Sequence, residues 1–205
     1  MNTQDTPLKV LVAGATGATG QHLVRELQQK GAHPTAMVRE GSDLGVLPQG
    51  IDLRKADLTD LADDVCDGMD VVIFAAGSGG DTDKEMTDKV DRDGAQTLID
   101  RARHAKVARF VMLSSVGADN PDPDSQLAHY LEAKHAADEH LKQSGLTYAI
   151  LRPVALTDDA KTGDIKLGEK VDKSAKARRA DVAAVLAEAA VDGSLDGRAV
   201  DMQTL

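Results

Sequence analysis

Tyr130 and Lys134 stand four residues apart in the run Tyr130-Leu131-Glu132-Ala133-Lys134, inside a helical pattern over Gln126–Ser144. Positions i and i+4 share one face of a helix, so the phenol and the ammonium lie together. An ammonium beside a phenol stabilises phenolate and lowers the phenol's pKa from its reference of about 10 toward working pH. Such a phenol can give or take a proton at a carbonyl oxygen while hydride moves at the carbon. Ser114 and Ser115 follow an apolar run shortly before this helix, and a hydroxyl from Ser115 can orient the same oxygen. Taken alone, the Tyr/Lys pair also fits an exposed helix face with a snorkelling lysine. His129, His135 and His140 occupy the same helix; no metal cage is evident among them, and solvated side chains account for them.

Hydride chemistry needs a donor, and the N-terminal region offers a place for one. The segment Leu11-Val12-Ala13-Gly14-Ala15-Thr16-Gly17-Ala18-Thr19-Gly20 ends a short apolar run in three evenly spaced glycines. A helical pattern with Leu23, Val24 and Leu27 follows at once. Strand, glycine turn and helix is the layout of a nucleotide-binding βαβ unit, where backbone N–H groups and a helix N-terminus meet a pyrophosphate. Gly14 permits the tight turn, Gly17 lets the backbone approach phosphate without an intervening Cβ, and Gly20 lets the helix pack close to the sheet. Thr16 and Thr19 can add hydroxyl donors. A glycine turn of purely structural purpose is the plainer reading of the same residues.

The ends of the next apolar runs extend this site. Arg39 follows the second run, where a guanidinium suits a 2′-phosphate and favours NADP(H), while Glu40 beside it keeps NAD(H) open. Asp57 and Leu58 follow the third, offering a carboxylate to an adenine amino group and an apolar side chain to its ring; Asp57 also reads as a helix cap. Ala75-Ala76-Gly77 follows the fourth with small residues, as needed beside a cofactor ribose. Ser114 closes the fifth, and Lys134 can reach nicotinamide ribose hydroxyls.

Alternating elements must position these residues. Strand-like runs occur at Leu8–Ala13, Thr35–Val38, Val71–Ala76, Phe110–Leu113, Tyr148–Leu151 and Ala199–Gln203, with a weaker one at Ile51–Ala56. Helical patterns lie between them at Gln21–Lys30, Leu58–Cys66, Lys84–Ala105, Gln126–Ser144 and Ala180–Val191. Asp81 or Thr82 suits the start of the long third helix, and Gly31 and Gly145 suit helix C-caps. Strict alternation predicts an α/β, three-layer, doubly wound sheet, mostly parallel, in a single domain over residues 1–205. The polar stretch Pro153–Arg178 is expected to form a small substrate rim, with Ile165–Val171 as a possible short strand.

Composition narrows the classes. The chain has 205 residues, 41% hydrophobic, and a net charge of −10, which disfavours a nucleic-acid partner. Aromatic residues are only 2%, so the core must be aliphatic and a base-stacking platform is not expected. Cys66 is the one cysteine, which rules out a disulfide framework and a cysteine-based zinc site. No apolar run reaches the length of a membrane span, and the polar Met1–Pro7 segment lacks a signal pattern, so no membrane partner and a cytoplasmic location are expected. A small molecule is the expected substrate.

Together these motifs resemble the short-chain dehydrogenase/reductase superfamily, and more closely its atypical NmrA-like branch, which includes biliverdin reductase B-type flavin reductases. The resemblance rests on Gly14 to Gly20, Asp57-Leu58, Asp70 to Gly77, Ser114 to Ala118, Tyr130 with Lys134, Leu151-Arg152-Pro153 and Arg179 to Ala183. It implies a Rossmann-like domain with strand order 3-2-1-4-5-6-7 and a bound dinucleotide. By matching motifs, Gly14, Thr16, Gly17 and Ala18 would contact pyrophosphate, Arg39 a 2′-phosphate, and Asp57 and Leu58 adenine. Pro153 and Val154 would border nicotinamide, and Ser115, Tyr130 and Lys134 would take the triad positions. Ala75-Ala76-Gly77 departs from the asparagine-containing pattern of ordinary members, and Asp91 stands near another usual asparagine. Three functions follow as expectations: NADPH-dependent reduction of a small carbonyl, quinone or flavin; a non-catalytic NADP-binding redox sensor; and a nucleotide-sugar epimerase or dehydratase. Enzymes of the last kind carry a longer substrate lobe than the about fifty residues after Pro153.

Overall fold

A central apolar strand organises the molecule. In the computed structural model, which describes residues 6–79, 83–168 and 170–205, strand β1 (Lys9–Ala13) lies between β2 (His33–Val38) and β4 (Val71–Phe74), parallel to both. Its side chains alternate between two cores. Val10 and Val12 pack with Leu23, Val24 and Leu27 of α1 (Ala18–Gln29) and with Val182 and Leu186 of α5 (Arg179–Asp192). Leu11 and Ala13 face the opposite way, toward Leu98 and Ile99 of α3 (Ala95–His104) and Ala137 and Leu141 of α4 (Ala128–Gln143). Both faces are buried, which explains why these strands read as continuous apolar runs.

The sheet has eight strands in the order β3-β2-β1-β4-β5-β6-β10-β8, with β3 at Asp52–Lys55, β5 at Arg109–Leu113, β6 at Thr147–Pro153, β8 at Ile165–Leu167 and β10 at Arg198–Thr204. Every pairing is parallel except β10 with the edge strand β8. Counting the Ala199–Gln203 run as the seventh strand, the expected order 3-2-1-4-5-6-7 is the observed one, with β8 added at its edge. A separate parallel pair, β7 (Ala155–Thr157) with β9 (Lys176–Arg178), was not foreseen. In register, Met37, Ala13, Phe74 and Met112 lie side by side, so the chain leaves β2, β1, β4 and β5 along one edge of the sheet. Among the described residues, no helix is long and apolar enough to cross a membrane and no group of His, Cys, Asp and Glu is placed to hold a metal.

Local signals explain most boundaries. Gly31, at φ +79°, follows α1, and the Gly31 and Ala32 amides donate back to the Gln28 and Leu27 carbonyls. That pattern needs a left-handed residue, which glycine supplies without strain. Two helical readings need correction. Leu58–Cys66 is a chain of turns: Thr59 N–H and hydroxyl donate to Asp57 Oδ1, and the Val65 and Asp67 carbonyls accept from Arg54. Side chains thus compete for the backbone, and Asp60, Asp63, Asp64 and Asp67 would repel one another at helical spacing. The long helix is also not uniform. It starts with α2 (Lys84–Thr87), passes through a π-helical segment at Asp88–Gly94 and continues as α3. Asp83 caps it by accepting from Met86 N–H; Asp81 and Thr82, the expected caps, lie outside the described residues.

Candidate active site

Two cavities open along the edge where the strands end. The smaller, about 140 Å³, is lined by Gly14, Thr16, Arg39, Asp57 and Leu58, together with Met37, Met86 and Val90. The larger, about 570 Å³, is lined by Gly17, Ala18, Thr19, Ala75, Ser114, Tyr130 and Lys134, together with Lys84, His129, Leu156 and Arg179. Ala76, Gly77 and Ser78 line both, so the two spaces flank the same loop after β4. The residues expected around adenine thus line one space and the Tyr/Lys pair the other.

The glycine turn has the shape a phosphate cradle requires. Gly14 sits at φ +84°, and a Cβ there would stand 2.6 Å from the Ala76 nitrogen. At Gly20 a Cβ would run into the Gly14 carbonyl, so this glycine lets the helix close on the turn itself. Gly17 differs: a Cβ there would meet only the Gly14 oxygen, at 3.3 Å, and otherwise the exposed backbone faces the cavity. Gly17 N–H is used within the turn, on Gly14 O at 3.0 Å, and the first intrahelical bond of α1 is Gln21 N–H to Gly17 O. The N–H groups of Ala18, Thr19 and Gly20 therefore have no helical acceptor, and the first turn carries no acid. Such an end suits an anion. The residues present fit a dinucleotide pyrophosphate.

At the adenine-side cavity, Asp57 is held by Thr59. Its carboxyl sits below the usual carboxylate range, chiefly because the Thr59 N–H and hydroxyl bond the anion, with Arg39 adding a smaller attraction across partial desolvation. Arg39 is exposed and free to face an added anion. Gly94 lets the helical rod come close behind Leu58, since a Cβ there would lie 2.9 Å from the Leu58 carbonyl oxygen.

Two buried ionic clusters stand behind the larger cavity and reach its wall through Lys134 and Ser114. Lys134 is 3% exposed, and its Nζ lies 2.9 Å from Asp91 Oδ1, 5.7 Å from the centroid of the Tyr130 ring and 5.5 Å from that of Phe74. Burial disfavours its ammonium, but Tyr130, Asp91 and more distantly Asp138 outweigh that penalty and hold the lysine above its usual range. In the second cluster Ser114 Oγ donates to Asp138 Oδ2 at 3.0 Å, and Arg152 grips the same oxygen through Nε at 3.0 Å and Nη2 at 2.9 Å. Burial pushes the Asp138 carboxyl up, against the pull of Arg152 and Ser114. Ser114, which lines the cavity, thus uses its hydroxyl hydrogen in the bond to Asp138 and keeps its oxygen as an acceptor.

Three expected residues fall elsewhere. Ser115 lines neither cavity; its hydroxyl rests 3.4 Å from the Val116 carbonyl, and Ser114 takes the wall position. Pro153 and Val154 are buried behind this segment, with the Pro153 carbonyl accepting from Val116 N–H and Val154 N–H donating to Met202 O. The expected rim over 153–178 contributes only Leu156 to the larger cavity among the described residues, while Gln126, Leu127, His129 and Lys84 supply most of the outer wall. Lys161 of that rim pairs instead with Glu26 of α1. Sequence reading passed over Asp138 and named Arg152 only as part of a resemblance motif, because each lies far along the chain from Ser114. The aspartate in place of asparagine at position 91 was the one legible sign of the other cluster.

The chain is similar to known proteins in sequence and fold. Residues 14–192 match the family described as NAD(P)H-binding. The "Uncharacterized sugar epimerase YhfK" of Bacillus subtilis is 35% identical, over 95% of this chain and 94% of that protein. The ceramide reductase of Caulobacter vibrioides is 32% identical over 80% of this chain, which spans about half (51%) of that protein. A solved Bacillus halodurans structure, provisionally named an NAD-dependent epimerase/dehydratase, is 35% identical with a TM-score of 0.91, covering 97% of this chain and 94% of that one.

Proposed function

We propose, from the premise that this chain belongs to the NAD(P)H-binding family of atypical short-chain dehydrogenases/reductases, that it is an NADPH-dependent reductase of a small carbonyl, quinone or flavin. The observation that carries this reading is the placement of Tyr130 and Lys134 on the wall of the larger cavity, which the glycine-turn residues Gly17, Ala18 and Thr19 also line. The Ala18–Gly20 amides and Arg39 would hold the phosphates of the dinucleotide, and Asp57 and Leu58 its adenine. Bound there, the reduced nicotinamide supplies a hydride. Tyr130 delivers the proton that an acceptor oxygen needs as its carbon is reduced. Lys134 keeps a positive charge beside the phenol and offers hydrogen bonds to ribose hydroxyls. Ser114, with its own proton committed to Asp138, accepts from whichever donor lies against it. Leu113, Leu127 and Leu156 add apolar surface to the same cavity lining.

The ceramide reductase name supports reduction, whereas the name of the Bacillus subtilis relative favours a second reading, sugar epimerisation through a transient ketone. The two differ in stoichiometry. A reductase consumes NADPH in proportion to acceptor; an epimerase returns its cofactor unchanged. Absorbance at the reduced-nicotinamide band across a panel of aldehydes, quinones, flavins and sugar nucleotides separates them. Tight NADPH binding with no turnover of any panel member would reject both and leave the sensor.

A further inference from the structure

Asp91 has no exposed surface, and it lies in the π-helical segment between α2 and α3. Its two oxygens have separate tasks. Oδ2 accepts from the backbone N–H of Ser78 at 2.9 Å, in the loop that both cavities share. Oδ1 has no partner except the Lys134 ammonium, at 2.9 Å. One carboxylate therefore joins the loop after β4 to the lysine on α4. An ordinary asparagine at this position could bond the Ser78 amide equally well, but it could not balance a buried charge.

We propose that Asp91 is a positioning residue that keeps Lys134 charged and fixed beside Tyr130, and that it ties this pair to the Ala75–Gly79 loop. The other groups facing Lys134 cannot take over. Asp138, one turn along α4, is engaged by Arg152 and Ser114. The Leu113 carbonyl of β5, 3.4 Å away, and the Phe74 ring of β4 carry no formal charge. Tyr130 completes the surroundings from α4. Without Asp91, a lysine this deeply buried gives up its proton more readily.

The assignment of Tyr130–Lys134 as the proton-transfer pair enters only one arm of the test. The first arm is urea unfolding of the intact protein from pH 6 to 9 for wild type, Asp91→Asn and the double variant Asp91→Asn/Lys134→Met. In wild type the raised lysine contributes stability that is present below its unfolded value near 10.4 and fades only above it, so the midpoint is flat in this window. In Asp91→Asn the folded lysine titrates below its unfolded value, and stability rises with pH as that proton leaves. The double variant is flat again and more stable at pH 6 than Asp91→Asn, because no unpaired buried charge is left. A midpoint for Asp91→Asn that parallels wild type, or a double variant no more stable than the single, overturns the pairing. If the single variant does not fold, the stability of the double still decides.

The second arm is turnover. Asp91→Asn should lose its activity at a pH at least one unit lower than wild type on the alkaline side, with the Km for NADPH changed less than threefold. An alkaline limb in the wild-type position, at any height, shows that Asp91 does not act through Lys134 on the reaction. The unfolding arm reads the charge pair whether or not the enzyme has been assigned its acceptor, so failure of one arm is distinguishable from failure of the other.

Discussion

Tyr130 owes its place to the helix that carries it and its company to the spacing of one turn. Replacement by phenylalanine removes a single oxygen, so the fold and the dinucleotide contacts remain. Carbonyl turnover should fall about 10²–10⁴-fold while NADPH affinity stays within a factor of about 3, by steady-state assay and fluorescence titration. Arg39 makes the complementary case. Arg39→Ala should weaken NADPH by about 10–100-fold, as expected for loss of a charge-assisted contact, and NADH by far less. Equal losses for both would place the guanidinium away from a 2′-phosphate. Cys66 is inert by burial, which pushes its thiol up to about 12. A thiol reagent at pH 8 should leave the native protein unlabelled and react fully on unfolding. At this scale the sequence disclosed whatever is encoded by near neighbours: Tyr130 with Lys134, and Gly14 with Gly17. Ser114 with Asp138 and Arg152 stayed hidden because 24 and 38 residues separate the serine from its supports, and only the pairing of β5 with β6 and the docking of α4 bring them together.

Elements show where local pattern and tertiary context part. The strands were legible since each is buried on both faces and reads as an apolar run. Leu58–Cys66 was misread as a helix since Leu61 and Val65 have helical spacing and are buried, yet the carbonyls of Val65 and Asp67 go to Arg54. Apolar spacing cannot report such a competitor. The junction of β5, α4 and β6 rests on the Asp138–Arg152 pair, and breaking it should be costly. Arg152→Met leaves Asp138 buried without a cation, at a cost of about 3–5 kcal/mol in urea unfolding near pH 7. The loss should shrink as pH falls: a carboxyl raised by burial favours the folded state when protonated, and stability declines as pH climbs through its folded value. A loss independent of pH between 4 and 7 would assign the effect to packing alone.

Across the whole molecule, the alternation of apolar runs and helical patterns was sufficient for a parallel, doubly wound sheet, because parallel neighbours need crossovers, while the order of its strands rested on the family resemblance. The small β7–β9 pair escaped notice, as three-residue strands in polar surroundings carry little pattern, whereas β8 falls within the short strand expected at Ile165–Val171. The acidic surplus makes the glycine turn and Arg39 local exceptions in a field that opposes anions. NADPH at one hundred times its dissociation constant should stabilise the protein by about 2.7 kcal/mol and raise its melting temperature by about 5–10 °C. An unchanged melting curve would contradict the dinucleotide site altogether.

The widened coil at Asp88–Gly94 also sets the rotational phase of everything before it. One surplus residue in such a coil turns the upstream helix by about 100° relative to an unbroken α-helix. Lys84, Met86 and Thr87, which border the two cavities, depend on that offset for their bearing. A single-codon deletion within the segment would therefore act like a dial, swinging a whole palette of wall residues away at once while leaving their identities untouched.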